Sequence, residues 1–209
     1  MSALPHALRE LRPTLRLALP ITAGNVGQIL IGLTDCIMIG RVGAVPLAAS
    51  AFAGALFVVA YLLGIGILTP VAVRAAEAHG AGRPREAGET LRHGLVIAAI
   101  TSTLLAFVLT GLSLKLQLFG QPAPVAAAAQ AYLVIIGWSL LPGLGFLAVK
   151  NYYEALHRPW TPLYWVLGGL GLNVFLNWVL IYGRLGAPAL GLTGAGWASL
   201  LSRLAVFVG

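Results

Sequence analysis

Hydrophobic residues in this chain are gathered into six long runs, and the polar residues fall mostly between them. Most of these runs are long enough to cross the ~30 Å hydrocarbon core of a bilayer as an α-helix. The pattern therefore predicts an all-α polytopic membrane protein, built as a six-transmembrane-helix bundle. The predicted helices cover approximately residues 15–39, 47–75, 91–114, 125–149, 163–182 and 193–209.

Charged segments and prolines modify this pattern in three places. Residues 1–14 precede the first run and are expected to form a short basic tail. Residues 85–91 have the character of an amphipathic start to the third helix. Pro142 and Gly143 lie inside the fourth run, so a break or kink in that helix is expected near them.

Composition supports membrane insertion and gives an orientation. Hydrophobic residues make up 59% of the 209 positions and charged residues 9%, whereas soluble domains carry roughly 25% charged residues. The net charge of +7 would favour nucleic acid as a partner of a soluble protein. Here the basic residues lie between apolar runs, so they are read as topology determinants and no nucleic-acid partner is expected.

The positive-inside rule predicts a multi-pass protein of the inner (plasma) membrane with its N-terminus in the cytoplasm. The basic residues on the predicted cytoplasmic side are Arg9, Arg12, Arg16, Arg74, Arg83, Arg85, Arg92, Lys150 and Arg158. Those on the opposite side are Arg41, Lys115 and Arg184, and Arg203 falls within the last helix.

Asp35 is the only aspartate in the chain and lies near the end of the first run. Insertion scales put the cost of such a charge at a bilayer centre at about 2.5–3.5 kcal/mol, so intramembrane carboxylates usually serve a function. Gln28 precedes Asp35 by about two helical turns and shares its face. Asn25 lies about one turn before Gln28, on the side away from Asp35 along the chain. This polar stripe is expected to face the bundle interior or an aqueous cavity. The alternative is a carboxyl group that only fixes helix packing.

Asn173 and Asn177 form a second polar feature, on the fifth predicted helix. Residues four apart share a helix face, and two carboxamides there offer both oxygen acceptors and amide donors. By themselves they could serve only to hold helices together. Together with Asp35 they form a plausible site for a proton or a hard monovalent cation.

Signals for enzymatic chemistry are missing from the sequence. It contains no phosphate-binding P-loop, no Gly-x-Ser-x-Gly and no His-Glu-x-x-His. The histidines (His6, His79, His93 and His157) have no ligand-like spacing, and Cys36 is the single cysteine. We therefore expect no enzyme, no metal site and no cofactor.

An ordered set of short motifs resembles the multidrug and toxic compound extrusion (MATE) transporters. The motifs that carry the resemblance are Thr34-Asp35-Cys36-Ile37-Met38-Ile39-Gly40-Arg41-Val42-Gly43, Pro46-Leu47-Ala48-Ala49, Gly80-Ala81-Gly82-Arg83, Tyr132-Leu133, Asn173-x-x-x-Asn177, Leu180-Ile181-Tyr182-Gly183 and Gly191-x-x-Gly194-Ala195-Gly196-x-Ala198. They follow the family's order through the first six helices. Cys36 departs from the family, which usually has threonine directly after the aspartate.

The resemblance implies that residues 1–209 are the N-terminal six-helix lobe of a twelve-helix transporter, with the C-terminal lobe absent. It places the family's helix-one carboxylate on Asp35, the helix-five polar pair on Asn173 and Asn177, and the helix-one bend on Pro20. It also places cavity-lining residues on three further positions, which are Gln28, Tyr132 and Ser199.

The function implied is an antiporter, coupled to H⁺ or Na⁺, that exports organic cations by alternating access. Its partners would be cationic drugs, the lipid bilayer, and a C-terminal lobe or second copy that completes the cavity. One alternative is a lipid-linked oligosaccharide flippase of the same fold, which would need cationic cavity groups. The predicted spans hold almost no Lys or Arg beyond Arg16 and Arg203, which are expected near helix ends. A further alternative is a non-transporting or truncated membrane subunit.

Overall fold

The computed structural model describes the backbone of residues 3–209 and the side chains of residues 14–209. Over this range the chain forms seven α-helices and one short 3-10 helix, and no strand occurs among the described residues. The helices are α1 (Ala3–Gly40), α2 (Ala44–Gly80), α3 (Pro84–Ser113), α4 (Ala123–Trp138), α5 (Leu140–Ala155), α6 (Trp160–Tyr182) and α7 (Leu192–Val208), with the 3-10 helix at Leu116–Phe119.

Five stretches of the described chain are long and apolar enough to cross a membrane. They are Thr14–Gly40, Ala44–Gly80, Pro84–Ser113, Ala123–Ala155 and Trp160–Tyr182. The fourth of them contains both α4 and α5, and α7 adds a shorter apolar helix. The predicted all-α bundle of a multi-pass membrane protein is therefore confirmed.

The first helix begins earlier than predicted. α1 starts at Ala3, so most of residues 1–14 extend the helix and do not form a separate tail. Hydropathy marks only the part of a helix that lies in hydrocarbon, and a helix can continue beyond it into water. The side chains of Arg9 and Arg12, which contributed to the predicted orientation, lie outside the described residues.

The third helix also begins before its apolar run, as the amphipathic pattern of 85–91 indicated. Its first turns are polar and, apart from Ala87, mostly exposed, and two ion pairs lie along them. Arg83 approaches Glu86 at 2.9 Å and Arg85 approaches Glu89 at 3.3 Å. Pairs at these three- and four-residue spacings stabilise a helix by a few tenths of a kcal/mol each, about 0.2–0.5.

The break in the fourth span falls at Ser139, three residues before the expected Pro142 and Gly143. Pro142 has no N–H, and its ring crowds the carbonyl of the fourth preceding residue, Trp138. The disturbance therefore appears one turn before the proline. The Ser139 hydroxyl donates a hydrogen bond of 2.6 Å to the Ile136 carbonyl at this point.

Connections between the helices alternate between two ends of the bundle. His79, at the end of α2, and His157, between α5 and α6, have ring centroids 5.8 Å apart. At the opposite end the Tyr182 hydroxyl of α6 donates to the Met38 carbonyl of α1 at 3.0 Å. The basic α2–α3 and α5–α6 connections therefore lie on the same side.

α6 packs between α1 and α7 and brings these three helices together. Two glycines permit close approach, as small residues do between membrane helices. A Cβ added at Gly27 of α1 would lie 2.9 Å from Val166 Cγ1 of α6, and one at Gly169 of α6 would meet the Val206 side chain of α7. Side chains on outward faces, such as Ile29, remain apolar and exposed, as lipid-facing residues are.

We expect Gly27→Ala to lower the melting temperature of the protein, and Gly24→Ala to leave it unchanged or slightly raised. The added methyl at position 27 overlaps a stiff valine, and overpacking of this kind costs about 1–3 kcal/mol. At Gly24, one turn earlier, the same methyl meets no atom within 4 Å. Size-exclusion chromatography of heated samples in detergent measures the difference. Equal shifts for the two variants would show that α1 and α6 are not closely packed at Gly27.

Candidate functional site

Asp35 lies on the face of α1 that packs toward α6 and α7. Buried residues recur along this helix at Pro20, Gly24, Gly27 and Ile39, which is the three- and four-residue spacing of one helix face. Asp35 precedes Ile39 by four residues and follows the same spacing. The carboxylate is thereby directed into the bundle and only partly exposed.

Two neighbouring helices donate hydrogen bonds to the Asp35 carboxylate. Asn177 Nδ2 on α6 donates to Oδ1 at 2.5 Å, and Ser199 Oγ on α7 donates to Oδ2 at 3.0 Å. Hydrogen bonds to an ionised acceptor are roughly twice as strong as those between neutral groups. They offset part of the cost of burying this carboxylate, and they couple α1 to both α6 and α7.

The network continues from Asn177 to two further side chains. Asn177 Nδ2 also lies 3.2 Å from Asn173 Oδ1, and Asn173 Nδ2 lies 3.5 Å from Ser202 Oγ. Both asparagines are fully buried. Among the described side chains, Asn177 Oδ1 is a buried acceptor that receives no hydrogen bond. This oxygen receives no hydrogen bond, although the same side chain donates one to the Asp35 carboxylate. Such an arrangement favours a bound cation or a proton nearby.

A cavity of about 210 Å³ opens beside this network. Asp35 contributes to its wall, together with polar groups from α1, α2 and α7. The lining residues are Gln28, Ile31, Gly32, Asp35, Phe57, Tyr61, Gly143, Phe146, Val166, Gly169, Ser202, Arg203 and Val206. Most of this wall is apolar with a few polar groups, which is the usual character of a small-molecule site.

Other residues predicted for the site have different positions. Gln28 lines the cavity with Asp35, whereas Asn25 of the same predicted stripe is exposed. Pro20 is fully buried and α1 continues through it. Tyr132, expected to line the cavity, lies in the apolar core of α4 instead. Its ring packs where Gly196 of α7 leaves room for it.

Arg203 is a cavity residue that the sequence interpretation did not identify. It was expected near a helix end and was not assigned to the cavity, but it lines the cavity together with Asp35. Its Nη1 donates to Ser139 Oγ at 2.7 Å, and its guanidinium lies 4.6 Å from the centre of the Phe57 ring. The signal was available: Arg203 follows Ser199 by four residues, so both lie on one face of α7.

The arrangement can bind and release a small cation without forming or breaking covalent bonds. A carboxylate, a carboxamide oxygen and hydroxyls are the oxygen ligands that hard cations prefer, and a carboxylate also accepts a proton. Asp35 lines the cavity and belongs to the network at the same time. Its charge is therefore available either to an ion or to a cationic molecule in the cavity.

Comparison with known proteins identifies a family and several relatives of this chain. The MatE family model matches residues 20–179 of the chain. The probable multidrug resistance protein NorM of Bradyrhizobium diazoefficiens is 38% identical over 204 residues, covering 97% of this chain and 44% of that protein. The probable NorM of a Synechococcus strain is 36% identical, covering 96% of this chain and 43% of that protein. The chain therefore spans less than half the length of these curated relatives.

Solved structures show the same fold. A crystal structure of a eukaryotic MATE transporter superposes with a TM-score of 0.88 at 22% identity, covering 96% of this chain and 44% of that one. An outward-facing multidrug resistance MATE family transporter of the MOP superfamily gives a TM-score of 0.82 at 22% identity, covering 94% of this chain and 43% of that one.

Proposed function

This chain belongs to the MatE family of membrane transporters, and we propose that it is the N-terminal lobe of an ion-coupled multidrug efflux antiporter. The observation that carries the proposal is the position of Asp35. Its carboxylate accepts hydrogen bonds from Asn177 of α6 and Ser199 of α7 and also lines the cavity. One group can then respond to the coupling ion and to the substrate, which antiport requires.

The coupling ion is H⁺ or Na⁺, and the substrates are organic cations. An ionised Asp35 attracts a cation in the cavity, whereas a protonated or Na⁺-bound Asp35 no longer does. The ion therefore lowers the affinity for the drug, and the drug lowers the affinity for the ion by the same factor. Entry of one ion favours release of one drug molecule when the cavity faces the outside.

Conformational change is assigned to α1. Neutralising Asp35 weakens the charge-assisted bonds from Asn177 and Ser199 that hold α1 against α6 and α7. Pro20 leaves the Arg16 carbonyl without an intrahelical partner, so α1 bends more easily at that point. Two packings of α1, selected by the state of Asp35, would give the alternating access that transport needs.

Binding of ethidium, an organic cation, to the purified chain in nanodiscs tests this proposal. Fluorescence anisotropy is recorded at low and high pH, and with Na⁺ or an equal concentration of a large inert cation. We expect the affinity for ethidium to fall about tenfold, within the usual range of allosteric coupling, when the coupling ion is supplied. Affinity that responds to neither pH nor Na⁺ would overturn the proposal.

The membrane environment and partners are proposed from charge and exposure. The α2–α3 and α5–α6 connections share one end of the bundle, with Arg83 and Arg158 in them and Arg85 in the adjoining first turn of α3. We assign this end to the cytoplasm of a cell with the protein in its inner membrane. Much of α1 outside its α6 contact is exposed, and a C-terminal lobe or a second copy would cover it and complete the cavity.

A flippase for lipid-linked oligosaccharides is not favoured by the cavity. Recognition of a pyrophosphate would need a surplus of positive charge. Asp35 and Arg203 are the charged groups in the cavity wall, so their charges balance.

A further inference from the structure

Arg203 is held in the cavity without a carboxylate partner. Among the described side chains it makes no ion pair within 4 Å; the one hydrogen bond is the 2.7 Å contact with the neutral Ser139 hydroxyl. Its other face rests on the Phe57 ring at 4.6 Å, a cation–π arrangement. A guanidinium has five N–H donors, so most of its hydrogen-bonding capacity is left for a molecule in the cavity.

The position of this guanidinium is fixed from two sides. Ser139 lies at the break between α4 and α5 and is fully buried, and Phe57 belongs to α2 and is also buried. The planar donor fork is therefore oriented before any ligand arrives, and such forks bind carboxylates through two parallel hydrogen bonds. Lysine would not supply the same geometry.

The cavity consequently has two poles of opposite charge. Asp35 and Arg203 both line it, and among the described side chains they form no direct ion pair. A substrate that carries only a positive charge is attracted by Asp35 but repelled by Arg203. A substrate that carries both a cationic and an anionic group is attracted by both residues, its cationic group by Asp35 and its anionic group by Arg203.

We propose that Arg203 is a specificity-determining residue that binds the anionic group of amphoteric substrates, so that the cavity prefers them to purely cationic molecules of the same shape. The proposal rests on the proposed function, in which Asp35 holds the cationic group. It adds that a carboxylate on the substrate strengthens binding, although a cavity with Asp35 alone would repel that carboxylate.

Two dyes that differ in one group provide the test. Rhodamine B carries a delocalised cation and a free carboxylate, and its ethyl ester keeps the cation but has no negative charge. Binding of both dyes to the whole chain in nanodiscs is measured by fluorescence anisotropy. Wild-type protein is compared with Arg203→Gln, Arg203→Lys and Arg41→Gln. Arg41 is exposed in the α1–α2 connection, so its variant removes the same charge outside the cavity.

We expect Arg203→Gln to weaken rhodamine B binding about 10- to 100-fold, the loss of a charge-assisted hydrogen-bonded pair, and to leave or improve binding of the ester. Arg203→Lys should keep part of the preference, and Arg41→Gln all of it. If Arg203→Gln lowers the affinity for both dyes equally, Arg203 is only structural and the proposal is overturned. An equal rise in the affinity for both dyes would also overturn it.

The outcomes for the wild type separate this proposal from the function it rests on. Wild-type protein that binds the ester in a pH- or Na⁺-dependent manner but not rhodamine B refutes the role of Arg203 and leaves the antiporter proposal standing. Wild-type protein that binds neither dye refutes both. Size-exclusion chromatography of each variant confirms that it is folded before binding is compared.

Discussion

Asp35→Asn should abolish the ion-coupled drug efflux that we propose, while the protein remains inserted in the membrane. The asparagine carboxamide has nearly the shape of the carboxylate, and its oxygen still accepts a hydrogen bond from Ser199 or Asn177, so the packing of α1 is expected to survive. The variant cannot be ionised and corresponds to a permanently neutral Asp35. Its affinity for an organic cation should be low and independent of pH and Na⁺, so the coupling factor of about tenfold falls to one.

Ethidium accumulation measures this effect in cells where a C-terminal lobe or a second copy completes the cavity, with protein in the membrane fraction quantified in parallel. Glu77→Gln is the matched control, because Glu77 is an exposed carboxylate at the end of α2 and its loss should leave efflux unchanged. Unchanged efflux in Asp35→Asn would contradict the assignment of Asp35 as the coupling group.

The sequence predicted those features of the site that follow from the energetic cost of placing a charged or polar group in a membrane helix. A carboxylate in an apolar helix needs partners, and this reasoning pointed to Asn173 and Asn177, which the structure places beside Asp35 and bonded to each other. The fold followed from the lengths of the apolar runs. Neither inference needed a knowledge of how the helices are arranged in three dimensions.

Features that depend on helix rotation and packing were not predictable in the same way. Arg203 was expected only near a helix end, although its side chain reaches from α7 across to Ser139 and Phe57. Tyr132 was assigned to the cavity by resemblance, but its rotation on α4 directs it into the core. Asn25 is separated from Gln28 by three residues, and this shift around the helix axis is enough to leave it exposed.

Asn177→Leu should destabilise the protein and weaken the coupling, and it is the second large effect that we expect. Leucine has a similar volume but donates no hydrogen bond to Asp35 or Asn173. A buried acceptor left without its donor costs about 1–3 kcal/mol, and more when the acceptor is charged. The cost falls on the charged form of Asp35, so the variant should unfold more readily at high pH than at low pH, when compared with the wild type.

Asn25→Leu provides a matched control for this experiment, because it makes the same substitution on α1 at an exposed position. Thermal unfolding of both variants in detergent, followed across pH, separates the two explanations of Asn177. If Asn177→Leu lowers the unfolding temperature in a pH-dependent way and Asn25→Leu does not, then Asn177 stabilises the ionised carboxylate of Asp35. A loss of equal size at every pH would mean that Asn177 acts only as a packing residue between α6 and α1, and the coupling network would then consist of Asp35 and Ser199 alone.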